Sequence, residues 1–127
     1  MLLKLKEITK KRRSNAKLLD IGLDNIKNIK IPERVKDLYE VFHLYCMRVK
    51  NRDNLIKFLH SKGIDAKIHY PNPIHLQPAA KAYGYKKGVF PMAERASSKT
   101  MSLPVHEYIK KNDLDKMIFE IKNFYKK

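Results

Sequence analysis

The chain has 127 residues and a formal net charge of +15, with 28 lysine and arginine residues against 13 aspartate and glutamate residues. This length allows one domain with a modest core, and the charge excludes an acidic, calcium-buffering protein. We expect no membrane-spanning helix, because the apolar runs are short, and no signal peptide, because the N-terminus lacks a sustained apolar stretch. The single Cys46 excludes an internal disulfide, and the location expected from these features is cytoplasmic.

The first half of the chain predicts a helix, a strand and a second helix. Apolar residues at three- and four-residue steps place the first helix over residues 1–23, and residues 24–34 form a connection with a short extended piece. Residues 40–50 are rich in β-formers on both faces, which predicts a strand in the centre of a sheet. Asn51 then caps a helix that Gly63 ends in a left-handed conformation.

The second half begins with alternating apolar and polar residues. This alternation over residues 64–70 predicts a second strand, which the following prolines end. Residues 72–90 then form a long loop with a short helical piece around residues 78–83. A loop of this length in a compact domain is usually functional.

The remaining residues complete the predicted fold. Pro91 opens a helix that runs to about Lys99, residues 101–104 predict a third short strand, and Asn112 caps a final amphipathic helix. This order of elements predicts an α+β fold, with a small antiparallel or mixed sheet of about three strands and helices packed on one face. The helix between the first two predicted strands allows a right-handed parallel crossover.

The most unusual stretch of the loop is residues 68–78, where two histidines, a tyrosine, an asparagine and a glutamine stand beside three prolines. Prolines stiffen a loop, and a stiff loop holds polar side chains in fixed positions, as a binding site requires. The candidate binding residues are His69, Tyr70, Asn72 and His75. The alternative interpretation is a proline-bounded turn whose side chains cap nearby backbone, and the residues alone favour neither.

The residues predict no self-contained catalytic or metal site. His69 and His75 are six positions apart, and no further His or Cys lies at ligand spacing. Ser14–Lys17 matches the pattern S-x-x-K without its companion motifs, and neither a P-loop nor G-x-G-x-x-G occurs. His43 and Cys46 fall in the predicted strand and are expected to pack in the core or at the edge of the sheet.

The positive charge would attract nucleic acid or an anionic membrane. The basic residues are spread along the whole chain, however, and the densest cluster is only Lys10–Arg13. A dedicated surface is more often a long block or one helical stripe. We therefore expect nucleic acid to bind only non-specifically, and we expect no membrane partner.

A series of short motifs occurs in a fixed order along nearly the whole chain. These motifs are Arg12–Arg13, Phe42–Val49, Arg52–Leu55, Lys62–Ile64, His69–Pro78, Tyr83–Tyr85, Phe90–Glu94 and Ser102–Pro104. With them the chain resembles the C-terminal small domain of the DegT/DnrJ/StrS-type aminotransferases, which use pyridoxal phosphate to aminate keto sugars on nucleotide carriers.

The resemblance implies a fold type I small domain over residues 24–127, with residues 1–23 as a linker helix to a large domain. In this family a large-domain lysine holds the cofactor, and the active site lies at a homodimer interface. The resemblance also implies that the four candidate residues of the loop bind the sugar-nucleotide substrate. The residues that hold the cofactor in this family, namely its lysine, the aspartate at the pyridine nitrogen and the residues around the cofactor phosphate, have no match in this chain. Lys17 does not take the place of the lysine, because it lies on the linker helix outside these motifs.

The chain is therefore expected to be a fragment, a split-gene product or a remnant. Alone it should be inactive and bind no cofactor, whereas the complete enzyme needs pyridoxal phosphate. Two other classes stay open: a stand-alone basic module that binds nucleic acid or an anionic partner, and a regulatory remnant that pairs with a full-length relative.

Overall fold

The computed structural model describes residues 2–126, so Met1 and Lys127, which the predicted domain bounds include, lie outside the described residues. Within this range the chain forms four α-helices and one three-stranded sheet, with short 3-10 turns between them. The helices are α1 (Leu5–Leu23), α2 (Arg52–Ser61), α3 (Pro91–Lys99) and α4 (Lys111–Lys126). The strands are β1 (Ile29–Lys30), β2 (Tyr45–Val49) and β3 (Thr100–Leu103). The 3-10 turns are Leu2–Lys4, Ile74–Leu76 and Pro78–Tyr83.

The sheet is antiparallel in the order β1-β2-β3, so β2 is central as predicted. The predicted strand over residues 64–70 is wrong, because only Lys67 of this segment pairs with the sheet, through an isolated bridge to Ser102. The backbone N–H of Ala66 donates to Ile64 O at 2.9 Å, which bends the chain just before the bridge. The parallel crossover that the intervening helix allowed is therefore absent from the described sheet.

The central strand is shorter than residues 40–50, because the chain before it is bound to α1. Arg12 donates to the carbonyl oxygens of Phe42 and His43 at 3.3 Å each, and Phe42 has a left-handed backbone with φ 51°. His43 is consequently exposed outside the sheet, which corrects the prediction that it packs in a strand. Cys46 lies in β2 as predicted, and its partial burial raises the pKa of the thiol.

The core lies between one face of the sheet and helices α1, α2 and α4. Tyr45, Met47 and Val49 point into it from β2, whereas Cys46 and Arg48 lie on the outer face. The largest fully buried side chains are Tyr45, Leu19, Leu23, Met47, Leu55, Leu59, Met101, Leu114 and Ile121. Three helices packed on one face of a three-stranded sheet confirm the predicted α+β fold. Helix α3 buries none of its residues and lies beside the outer face of β2.

Two helix caps differ from the prediction. The side chain of Asn51 caps no backbone N–H and instead accepts a hydrogen bond from Asn54 Nδ2 at 2.8 Å. Helix α4 begins one residue before Asn112, because Asp113 Oδ2 accepts the backbone N–H of Lys110 at 3.0 Å. This bond is the carboxylate half of a capping box, so the acidic residue rather than the asparagine sets the start of the helix.

Across residues 2–126, no helix combines the length and the apolar character that crossing a bilayer requires.

Candidate functional site

An open cavity of about 670 Å³ lies on the outer face of the sheet, between the proline-rich loop and α3. The four residues that the sequence singles out, His69, Tyr70, Asn72 and His75, all line it. The opposite wall comes from α3 and from the start of β3, through Ala93, Ala96, Ser97 and Thr100. The structure thus brings the four candidate residues together around one space.

Hydrogen bonds within the loop hold its shape. The N–H groups of Leu76 and Gln77 donate to Pro73 O at 3.0 Å and Ile74 O at 3.1 Å, which forms the 3-10 turn. The Gln77 amide also donates to Asn72 O at 3.4 Å. The loop therefore presents its side chains on a backbone with fixed geometry rather than on a free turn.

His69 is attached to the sheet through Ser102. The Ser102 hydroxyl donates its single proton to Lys67 O at 3.3 Å, and the same oxygen lies 2.7 Å from His69 Nδ1. When Ser102 donates to Lys67 O in this way, His69 Nδ1 must donate the second bond, which is one of the two tautomers that the geometry allows. In the neutral imidazole, Nε2 is then the nitrogen with the free lone pair, and it can accept a hydrogen bond from a ligand.

His75 has a different environment, because it is buried and tied to a carboxylate. Its Nε2 lies 3.1 Å from Glu94 Oε1, and the same oxygen accepts the Gly88 N–H at 2.7 Å. The Gly88 N–H and, next, His75 hold the pKa of the Glu94 carboxyl below its usual value of 4.5. Glu94 therefore joins α3, the proline-rich loop and the segment around Gly88, and His75 mainly shapes the wall of the cavity.

An aromatic wall completes the cavity, which is called the aromatic cavity below. The residues of this wall are not among the candidate binding residues selected from the sequence. Phe90 packs edge-on against His75 at 4.9 Å and against Tyr85 at 5.1 Å between ring centroids. Tyr83 stacks beside Tyr85 at 6.4 Å. Flat rings with hydroxyl groups suit a ligand that has both apolar faces and polar edges, such as a sugar or a base. The aromatic residues between positions 83 and 90 could have indicated this wall from the sequence, since they lie in a loop that is expected to be functional.

The described lining of the cavity contains no lysine, aspartate or glutamate. A cofactor bound as a Schiff base needs a lysine amine, and a pyridine nitrogen is usually faced by a carboxylate. The lining residues therefore do not fit pyridoxal phosphate by themselves, although they fit a neutral polar ligand. Among residues 2–126, no group of three or more His, Cys, Asp or Glu residues is placed to hold a metal ion.

Comparisons with a family model and with known proteins point to one and the same family. The model of the DegT/DnrJ/EryC1/StrS aminotransferase family matches residues 1–122. The chain is 35% identical over 122 residues to a pleiotropic regulatory protein of Geobacillus stearothermophilus, covering 93% of this chain and 32% of that protein. It is 34% identical over 90 residues to a dTDP-3-amino-3,4,6-trideoxy-α-D-glucose transaminase of Streptomyces venezuelae, covering 71% of this chain and 24% of that protein.

The fold is similar to that of a solved aminotransferase. The crystal structure of DesV from S. venezuelae in complex with a ketimine intermediate superposes with a TM-score of 0.94 at 28% identity. This superposition covers 99% of the present chain and 34% of DesV. The chain thus spans about a third of the length of the proteins that it matches.

Proposed function

The chain belongs to the DegT/DnrJ/EryC1/StrS aminotransferase family, and from this premise we propose that it is the C-terminal small domain of an enzyme that aminates a keto sugar on a nucleotide carrier. The observation that carries the proposal is the DesV superposition, which takes in 99% of this chain but 34% of that protein. Relatives described as transaminases of dTDP- and UDP-linked sugars support the substrate class. The comparisons do not support a stand-alone basic module.

In this proposal the aromatic cavity receives part of the sugar nucleotide. His69 Nε2 accepts a hydrogen bond from a substrate hydroxyl, and the exposed Tyr70 and Asn72 supply further hydrogen bonds at the rim. The buried His75 contributes less through direct contact than through its hold on Phe90 and Glu94. Residues 69–75 thereby orient a substrate and exclude water from one side of it, with no bond-making step assigned to this chain.

The family depends on pyridoxal phosphate, which acts as an electron sink for the amino-group transfer. We place the cofactor lysine in the other two thirds of the enzyme, with residues 1–23 as the linker to that part and residues 24–127 as the small domain. The complete enzyme is a cytoplasmic homodimer in this proposal. The chain alone is inactive and forms no lysine adduct with the cofactor.

The activity can be tested in a chimera, in which this chain replaces the matching segment of the S. venezuelae transaminase. We expect the chimera to form 2-oxoglutarate from glutamate in the presence of the keto-sugar nucleotide. Tyr70→Ala should lower kcat/KM by about tenfold, because the cavity loses a ring and a hydroxyl group. The matched control is Tyr108→Ala, since Tyr108 is 80% exposed and does not line the cavity.

A chimera that folds and binds the cofactor but shows no turnover contradicts the proposed function. An equal effect of the two tyrosine variants contradicts only the role of the cavity.

The prediction for the isolated chain is tested by borohydride reduction with pyridoxal phosphate, followed by mass spectrometry. Stoichiometric labelling of one lysine, together with turnover, would show that the chain is active without the rest of the enzyme.

A further inference from the structure

A second concavity, of about 270 Å³, lies on the other side of α3 from the aromatic cavity. No residue lines both spaces, and no carboxylate is among the described residues that line the second. Its basic lining residues, named here the basic groove, are Lys27, Lys30, Arg48, Lys50, Arg95 and Lys99. Three separate segments of the chain thus bring six cations to one small space.

The two arginines distinguish the basic groove from the rest of a lysine-rich surface. The chain has only six arginines, and four of them are tied by hydrogen bonds to carboxylates or backbone carbonyls. These four are Arg12, Arg13, Arg34 and Arg52. Within residues 2–126, the side chains of Arg48 and Arg95 make no hydrogen bond, ion pair or contact with an aromatic ring, and both residues line the basic groove. Their guanidinium groups are free to bind an external acceptor.

Two like-charge pairs meet in the basic groove. Lys30 on β1 lies directly opposite Arg48 on β2, and like charges in this position destabilise a sheet. Arg95 and Lys99 are four residues apart on α3, where like charges also repel. Because no described carboxylate of the lining offsets either pair, a bound anion would relieve both repulsions at once.

The backbone around the basic groove is held in place. The Lys50 N–H donates to Asn28 O at 2.9 Å, and the Tyr125 hydroxyl donates to Lys50 O at 2.6 Å. Arg52 donates to Ser97 O at 2.7 Å and so fixes the last turn of α3. Because this backbone is already fixed, only side chains have to be ordered when a ligand binds, which lowers the cost of binding.

We propose that the basic groove binds a compact anion with two linked phosphates, that is, a diphosphate group. Arginine forms bidentate hydrogen bonds with phosphate oxygens, and lysines add charge around them. The small volume of the basic groove, about 270 Å³, favours a compact group over an extended polymer. The diphosphate can belong to a nucleoside diphosphate or to free inorganic diphosphate. The proposal does not depend on the proposed aminotransferase function, because the two spaces share no lining residue.

The test is calorimetric titration of the 127-residue chain with inorganic diphosphate and, separately, with UDP at fixed ionic strength. We expect saturable binding of one anion per chain. The double variant Arg48→Gln/Arg95→Gln should weaken binding by about tenfold or more, since each change removes a charge-assisted hydrogen bond. The matched control is Lys116→Gln/Lys122→Gln on α4, which removes the same charge from exposed positions outside the basic groove.

An equal loss of affinity in the two double variants overturns the proposal, because net charge would then explain the binding. A lack of saturable binding also overturns it, as does an oligonucleotide that binds more tightly with increasing length and displaces the diphosphate. Tighter binding of UDP than of diphosphate supports the site and assigns the nucleoside form, whereas equal affinity supports it and assigns free diphosphate.

Thermal melting separates loss of binding from loss of fold. Diphosphate should raise the Tm of the wild-type chain but not that of Arg48→Gln/Arg95→Gln. If that variant does not fold, Arg48→Lys is used, because it keeps the charge but loses bidentate geometry. Unchanged affinity in a folded Arg48→Lys variant contradicts bidentate binding by Arg48.

Discussion

At the scale of single residues, Glu94 lies behind the wall of the aromatic cavity and supports it through His75. It accepts hydrogen bonds from Gly88 at 2.7 Å and from His75 at 3.1 Å through one oxygen. Its carboxylate is therefore stabilised in the folded chain, and the pKa of Glu94 lies below its usual value. Protonation of Glu94 would weaken the hydrogen bonds that it accepts, so the shape of the cavity wall depends on its ionised form.

We predict that Glu94→Gln lowers the Tm at pH 7 and that this difference shrinks in acid. The pKa of the Glu94 carboxyl is lower in the folded than in the unfolded state, so ionised Glu94 stabilises the fold above the unfolded-state pKa. That contribution is lost as the pH falls through the folded-state pKa. Circular-dichroism melts at about pH 7, 5 and 3 measure the convergence of wild type and variant.

Glu33→Gln serves as the matched control, because Glu33 is exposed and accepts no hydrogen bond within residues 2–126. Its Tm should follow the wild type at every pH. A constant difference between Glu94→Gln and wild type from neutral to acid pH contradicts the role of the carboxylate charge.

At the scale of elements, the packing of α1 against α4 depends on Gly22. A Cβ atom at this position would meet the side chain of Ile118, with Cγ1 at 2.8 Å and Cγ2 at 3.0 Å. Both are too close for ordinary contact, and both atoms are attached directly to the branched Cβ, so the clash is not confined to the end of the side chain. Glycine therefore lets the two helices approach closely, at the expense of helix propensity.

We predict that Gly22→Ala lowers the free energy of unfolding by about 1 kcal/mol. Alanine favours the helix by about 1 kcal/mol, whereas overpacking costs about 1–3 kcal/mol. The second effect is larger here because the whole Ile118 side chain must move. Urea denaturation measures the change.

The double variant Gly22→Ala/Ile118→Val tests the cause of this loss. Valine removes the Cδ1 atom nearest to the added methyl group, so the penalty for Gly22→Ala should be smaller in the Ile118→Val background. The same penalty in both backgrounds would mean that contact with Ile118 is not the cause.

The helices and the short strand β3 were predictable from local signals, whereas the strand expected over residues 64–70 was wrong. The helix over residues 111–126 follows from its repeated apolar positions, and Pro91 marks the start of α3 because its fixed φ suits the first helical turn. Residues 64–70 alternate like a strand, yet only Lys67 pairs with the sheet. Alternating apolar and polar residues indicate which side chains face the core, but a strand also needs a partner strand, which the pattern does not supply.

At the scale of the whole molecule, the net charge of +15 opposes folding through self-repulsion. We predict that raising sodium chloride from about 20 to 200 mM stabilises the chain by about 1 kcal/mol, or about 4 °C in Tm, because salt screens these repulsions. Choline chloride at the same ionic strength should have the same effect. A Tm that stays constant or falls with salt contradicts this prediction.

The candidate site shows the same division between local and distant information. His69, Tyr70, Asn72 and His75 could be selected from the sequence, because they stand in one short segment that prolines stiffen. The separate roles of the two histidines could not, since they depend on Ser102 and Glu94. Those partners are 33 and 19 positions away along the chain.

Local patterns were enough to predict the α+β class, the long helices, the loop of the aromatic cavity and the family that the motifs resemble. Each of these depends on residues close together in the chain, where proline, glycine and apolar spacing act directly. The strand pairing and the basic groove emerged only from the fold. Lys30, Arg48 and Arg95 are far apart in sequence, and their positions depend on antiparallel pairing and on the packing of α3 beside β2. Such contacts depend on the closure of the whole chain, which no short stretch of sequence encodes.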